Sequence, residues 1–175
     1  MSNTLKKLIR SAPDFPKPGI MFRDITPLLA DPDGLALAAR LMADPFRAQN
    51  IECVIGAESR GFIFGALVAR ELNCGFVPVR KPGKLPGETI SAEYQLEYGA
   101  DKLQIHTDAV QPDQNILMVD DLLATGGTMA ASCQMVEKLN GNIVGISFLI
   151  ELTFLKGRAK LGNYTINSLI SYDSE

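Results

Sequence analysis

The sequence predicts an α/β fold built on a parallel, twisted central sheet flanked by helices. Three observations carry this. Ile116-Leu117-Met118-Val119 is an apolar run with no polar alternation, the pattern of a strand buried on both faces. Cys53-Val54-Ile55-Gly56 is a second short run of the same kind, followed by an almost wholly apolar helical segment to about Leu72. Predicted strands and helices then alternate along the chain, the order that parallel sheets require. At 175 residues the chain fits one domain, 1–175, with enough length to bury a core.

The elements follow in order. Leu5, Leu8 and Ile9 fall on one face of a predicted helix over residues 3–11, and Pro13, Pro16 and Pro18 then enforce an extended loop. Leu35, Ala38, Ala39, Met42 and Phe46 keep helical spacing from about Asp33, and Pro45 should end or kink that helix. Phe76 to Val79 reads as a strand. Pro82, Gly83, Pro86 and Gly87 mark a long loop. Thr89–Leu96 and Leu103–His106 read as the arms of an antiparallel hairpin. Met129, Cys133 and Val136 form a helical stripe that stops at Asn140-Gly141, and Ile143 to Leu149 is expected to be the last core strand.

Composition is that of an ordinary globular protein, with 46% apolar and 21% charged residues. The net charge of −3 argues against a nucleic-acid binder, and no apolar run suits a signal peptide or membrane span. The three cysteines are widely spaced, with no CxxC, and read as buried thiols of a reducing compartment, so the cytoplasm is the expected location. His106, the single histidine, is given no role, and no His/Cys/Asp set has metal-ligand spacing.

The chemistry concentrates in Ile116 to Thr128, ILMVDDLLATGGT. Asp120 and Asp121 stand where the strand should end. Ala124, Thr125, Gly126, Gly127 and Thr128 then supply hydroxyls, flexible glycines and backbone N–H groups at a helix start, a cradle for one phosphate. Read alone, an Asp pair before a helix is also a plain N-cap. The order strand, acid pair, small-residue loop, helix favours a site. The loop lacks the lysine of a triphosphate-binding loop. Carboxylates beside a phosphate need neutral donors, and ribose hydroxyls fit, each worth roughly 1.5–3 kcal/mol when bonded to a charged acceptor. The inferred ligand is a ribose 5-phosphate.

MVDDLLATGGT resembles the phosphoribosyl pyrophosphate signature of the type I phosphoribosyltransferases, and its two leucines are most similar to the adenine-specific branch. PGIMFRDITPLL at 18–29, RKPGKLPGET at 80–89, YQLEYG at 94–99 and ELTFLKGR at 151–158 agree, in the family order. The resemblance implies transfer of phosphoribose to adenine, giving AMP and pyrophosphate in purine salvage. It also implies a small N-terminal hood over about 1–30 and a flexible β-hairpin lid over about 81–106.

Residue roles follow from the same resemblance. Asp120, Asp121 and residues 124–128 hold the phosphoribosyl group. Glu58, Ser59, Arg60, Arg80, Lys81 and Lys84 serve the pyrophosphate, and the Glu58–Ser59 peptide is expected to be cis. Read alone, Ala57–Gly61 is also a plain connector and the cationic cluster a solvated loop. Phe22 stacks on adenine, Met21 offers main-chain groups to its edge, Arg23 helps shape the pocket and Leu152 covers the opposite face. From the residues alone Phe22 is equally a core side chain. Glu97 is the candidate acid/base group, although a cross-strand surface pair is the plainer reading, and Tyr98 belongs to the lid. Mg²⁺ is expected to bind mainly through the substrate, with no direct protein ligand set. A homodimer is expected. The rivals are a phosphoribosyltransferase for hypoxanthine, guanine or xanthine, and a non-catalytic phosphoribosyl pyrophosphate sensor that regulates transcription. The Leu152-Thr153-Phe154-Leu155 segment departs from the Lys-and-aromatic pattern of the former, and the acidic balance disfavours the latter.

Overall fold

The computed structural model describes residues 2–95 and 100–174. Strands are β1 (Arg10–Ala12), β2 (Phe22–Asp24), β3 (Cys53–Ala57), β4 (Gly75–Val79), β5 (Thr89–Gln95), β6 (Ala100–His106), β7 (Asn115–Leu123), β8 (Asn142–Leu152) and β9 (Ile166–Tyr172). Helices are α1 (Ser2–Lys6), α2 (Thr26–Ala30), α3 (Pro32–Ala43), α4 (Gly61–Leu72) and α5 (Gly127–Lys138). Among the described residues, five strands form a parallel sheet in the order β4-β3-β7-β8-β9.

The apolar runs split by the two-residue period of a strand. Leu117 and Val119 of β7 and Val54 of β3 join a core with α3 and α4. Ile116, Met118, Cys53 and Ile55 face the other way, into a core with α5 and the β5–β6 hairpin. Both faces of β7 are therefore buried, as its sequence requires. The hairpin is joined to the end of β4 by reciprocal backbone hydrogen bonds between Arg80 and Gln104, of 2.9 and 2.7 Å.

Local signals place the helix ends. Asp31 caps α3 by accepting the Gly34 N–H at 2.6 Å, with Pro32 at the first helical position. Pro45 closes that helix into a 3-10 turn at Asp44–Phe46. Asn73 ends α4 in the left-handed region, and Asn140 follows α5 in the same conformation.

Several boundaries differ from expectation. The N-terminal helix stops at Lys6 instead of running to residue 11, because Arg10–Ala12 pairs antiparallel with Phe22–Asp24. Leu5 and Ile9 are nonetheless both buried. The strand β7 does not end at the acid pair. It runs to Leu123, because β8 continues to hydrogen-bond it through Leu122↔Ile150 and Leu123↔Glu151 after its pairing with β3 has finished at Val119. Nor is β8 the last strand. Ile166–Tyr172 adds a parallel edge strand, whose serines and asparagine obscured it in the sequence. Cys53 and Cys133 are buried thiols, while Cys74 is half-buried. No helix among the described residues is long and apolar enough to cross a membrane.

Candidate active site

The site lies beyond the carboxyl ends of β3 and β7, where ligands of open α/β sheets bind. Where β3 peels away from β7, the turn Ala57–Gly61 enters α4, and the acid pair of β7 faces it. Asp120 packs so closely on the start of α4 that a Cβ on Gly61 would stand 2.5 Å from Asp120 Oδ1. The same oxygen accepts the Asp121 N–H at 2.9 Å. Burial pushes the Asp120 carboxyl well above the ordinary carboxylate range, and Asp121 beside it pushes it further. Burial raises Asp121 too, with the Arg60 guanidinium pulling the other way. Arg60 Nη2 lies 2.7 Å from Asp121 Oδ2, an ion pair without good hydrogen-bond alignment.

Beyond the acid pair, β7 feeds the loop of residues 124–128. Gly126 sits at φ 79° and α5 begins at Gly127. A small cavity of about 80 Å³ is lined by Asp120, residues 122–129 and Phe148. The first N–H groups of a helix have no partner within it, so this end of α5 presents donors to an anion. The Tyr94 hydroxyl on β5 reaches Thr128 and also donates to Asp101 at 3.2 Å.

A third cluster stands on the Arg60 side. The Glu58 side chain is only 8% exposed. It accepts from Lys84 Nζ at 2.6 Å, the Lys81 N–H at 2.9 Å and Arg80 Nε at 3.1 Å. Burial acts to raise its pKa, but these donors outweigh it and hold the carboxyl below its usual value. Lys81 Nζ pairs with Asp101 at 2.9 Å. The N-terminal segment completes the arrangement. The Arg60 guanidinium lies 5.3 Å from the Phe22 ring centroid, and Phe15 meets Phe22 edge-on at 5.0 Å.

A family model described as a phosphoribosyl transferase domain matches residues 24–162. An adenine phosphoribosyltransferase of Nitrosococcus oceani is 56% identical over 168 residues, which cover 96% of this chain and 98% of that protein. The chain belongs to the adenine phosphoribosyltransferase family. The crystal structure of the adenine phosphoribosyltransferase from Thermoanaerobacter pseudethanolicus superposes with a TM-score of 0.95 at 52% identity, covering 98% of this chain and 100% of that one. The Saccharomyces cerevisiae enzyme, complexed with D-2,5-dideoxy-2,5-imino-altritol 1,6-bisphosphate and adenine, gives 0.90 at 42% identity, covering 96% and 97%.

Within this adenine phosphoribosyltransferase fold, the residues singled out from sequence fall into two groups. Phe22, Arg60, Asp120, Asp121 and the 124–128 loop line one continuous region, and Glu58, Arg80, Lys81 and Lys84 form the adjoining charged cluster. The Glu58–Ser59 peptide is cis. The Glu58 carboxylate faces the cations of its own chain and acts as their organiser. Strand alternation turns Arg23 away from Phe22. Its guanidinium stacks 3.8 Å from the Tyr172 ring centroid and donates to Ser11 Oγ and the Ser174 carbonyl. Met21 is half-buried just before β2. Leu152 is half-buried at the end of β8, in register with Tyr172. Glu97 and Tyr98 lie outside the described residues.

Sequence reasoning missed Asp101, Gly157 and the Glu151–Arg158 pair. Asp101 sits in the hairpin with no motif to mark it. The other three lie in or beside ELTFLKGR, of which only Leu152 received a role. A glycine followed by arginine at its end was the available signal.

Proposed function

We propose that the protein transfers the 5-phosphoribosyl group from phosphoribosyl pyrophosphate to adenine, giving AMP and pyrophosphate in purine salvage. The observation that carries this reading is the Arg60 bridge. One guanidinium lies between the hood aromatic Phe22 and the acid Asp121, so a base site and a ribose site meet at one charged group. Membership of the family and the adenine held by the yeast relative support the choice of base.

In this reading the reaction is displacement at the anomeric carbon through a cationic, oxocarbenium-like sugar. The 5-phosphate sits at the start of α5, on the N–H groups and hydroxyls of residues 124–128. Asp120 and Asp121 accept from the ribose hydroxyls, and their negative charge stabilises the positive charge that develops on the ring. Arg60, Arg80, Lys81 and Lys84, with the Ser59 turn, receive the departing pyrophosphate. Glu58 holds three of these donor groups in place. Phe22 and Leu152 enclose adenine, Met21 presents main-chain groups to its edge, and Arg23 supports the hood from behind through Tyr172. Glu97 manages the proton of the purine.

The hood spans about 1–30 and the lid about 81–106 of a single domain, 1–175. Ala92, Leu103 and Ile105 anchor the hairpin in the core, so closure belongs to the 81–88 loop, where it excludes water from the cationic sugar. Magnesium fits as a substrate-borne ion. The substrate's hydroxyls and pyrophosphate are the hard oxygen donors it prefers. When bound it neutralises charge on the leaving group. Asp120 and Asp121 would reach it only through the ribose hydroxyls that they hold. The working form is a homodimer in the cytoplasm.

Incubation with phosphoribosyl pyrophosphate, Mg²⁺ and, in turn, adenine, hypoxanthine, guanine and xanthine tests the reading. Chromatography should find AMP and pyrophosphate with adenine alone. Product from a 6-oxopurine in preference to adenine, or none from any base, overturns it.

A further inference from the structure

We infer that Gly157 is a positioning residue for the phosphate loop, its backbone pressed against Gly126 and Ala124 and held there by the Glu151–Arg158 ion pair. The inference rests on the reading of residues 124–128 as the 5-phosphate cradle.

The contact is between two glycines far apart in sequence. A Cβ on Gly126 would collide with the Gly157 carbonyl oxygen, and a Cβ on Gly157 would collide with the Ala124 carbonyl oxygen and stand 2.9 Å from Leu123 Cδ1. The two backbones are thus in close contact, with no room for a side chain at Gly126 or at Gly157. Gly162, five residues on, has nothing within 4 Å of such a Cβ, so the closeness is a property of this spot and not of the segment.

Gly157 is in turn fixed at both ends. Glu151, 4% exposed on β8, accepts from Arg158 Nε and Nη2 at 2.6 Å each, a two-pronged pair. Arg158 also donates to the Ile166 carbonyl and Ser168 Oγ, both in β9. Upstream, Thr153 Oγ1 bonds the Tyr172 carbonyl at 3.1 Å and Asp173 Oδ1 at 2.7 Å. Lys156 then turns the chain at φ 54°. The bracket from Leu152 to Arg158 is therefore tied to β8 and β9 before it reaches the loop.

The function of such a buttress follows from what a phosphate cradle needs. Backbone N–H groups bind an anion well only when their directions are set beforehand, so that no reorganisation is needed on binding. Gly126 at φ 79° supplies the turn, but glycine by itself leaves those directions free. A second backbone in contact removes that freedom. The same bracket carries Leu152, the proposed cover for the base, so one segment sets the spacing between the base half and the phosphate half of the pocket.

The test compares ligands that differ only in the phosphate. AMP, adenosine and ribose 5-phosphate are titrated calorimetrically into the full-length wild type, Gly157→Ala, Glu151→Gln and the control Gly75→Ala, whose added methyl meets nothing within 4 Å. In Gly157→Ala, AMP and ribose 5-phosphate should lose about tenfold or more in affinity while adenosine stays within about twofold. Glu151→Gln should move in the same direction by a smaller factor, and it carries the test alone if Gly157→Ala does not fold. The control should match wild type. Equal losses for AMP and adenosine, or no loss, overturn the positioning role. A wild type that fails to take up ribose 5-phosphate overturns the site reading itself.

Discussion

Arg60 Nη2 stands 2.7 Å from Asp121 Oδ2, tying the turn after β3 to the acid pair on β7. The pair joins the two halves of the site that the chain supplies some sixty residues apart. Asp121 is buried, Arg60 is about one-third exposed, and each limits where the other can point. Replacing Asp121 by Asn keeps the shape and removes the charge. It should lower steady-state turnover by more than about tenfold, because charge placed to stabilise a developing cation acts on the barrier and not on the fold. The fold should stay intact, with a thermal midpoint at neutral pH no lower than wild type, because burial raises the Asp121 carboxyl as it does Asp120. An unchanged kcat would rule out the electrostatic role.

Asp120 carries a cost in stability. Burial and Asp121 raise its folded-state pKa above the unfolded value near 3.9. Between those two values the folded state binds more protons than the unfolded state, so stability falls as pH rises through that window. Asp120→Asn should therefore raise the melting temperature of the ligand-free protein at neutral pH. The gain should shrink as pH falls toward 4. The Asn Oδ1 can still accept the Asp121 N–H that Asp120 accepts at 2.9 Å. A gain that is the same at every pH would contradict this account.

Glu58 works in the opposite sense. Burial acts to raise its pKa, but Lys84, the Lys81 N–H and Arg80 together hold it below the usual value. Its contribution to stability is present above the unfolded pKa and is lost as pH falls through the lower folded value. Glu58→Gln should melt below wild type at neutral pH, with the gap closing in acid. Thermal melts across a pH series decide this, and a gap that widens in acid would refute it.

Phe22 has its ring against Phe15 and the Arg60 guanidinium, and it is not among the buried core residues. Stacking of a base on an aromatic ring is worth about 1–3 kcal/mol, so Phe22→Ala should raise the KM for adenine about tenfold or more. Ribose 5-phosphate affinity should change less than about twofold. Equal losses for both ligands would mean that Phe22 supports the fold and not the base.

The site was legible in the sequence to the extent that chemistry and chain proximity coincide. Asp120, Asp121 and residues 124–128 are consecutive, and a strand followed by small residues and a helix can place them in only a few ways. Glu58 and the loop cations were legible as residues but not as a cluster. Their mutual neutralisation depends on Arg80 and Lys84 folding back over the turn after β3. Arg23 shows the opposite limit. It adjoins Phe22 in sequence, yet a strand turns neighbours to opposite faces, and a tyrosine at position 172 decides what it touches.

The sequence by itself determined the α/β class, the buried runs of β3 and β7, the helix ends near Leu72 and at Asn140, and the order of the candidate binding loops. These are consequences of local periodicity, capping and motif, which a single stretch of chain carries. Tertiary structure alone decided that β7 outruns its β3 partner, that Ile166–Tyr172 is a strand at all, and that Gly157 meets Gly126. Each of these is fixed by a neighbour distant in sequence. Hydrogen bonds to β8, and the absence of a Cβ at both glycines, act only once the chain has brought the partners together.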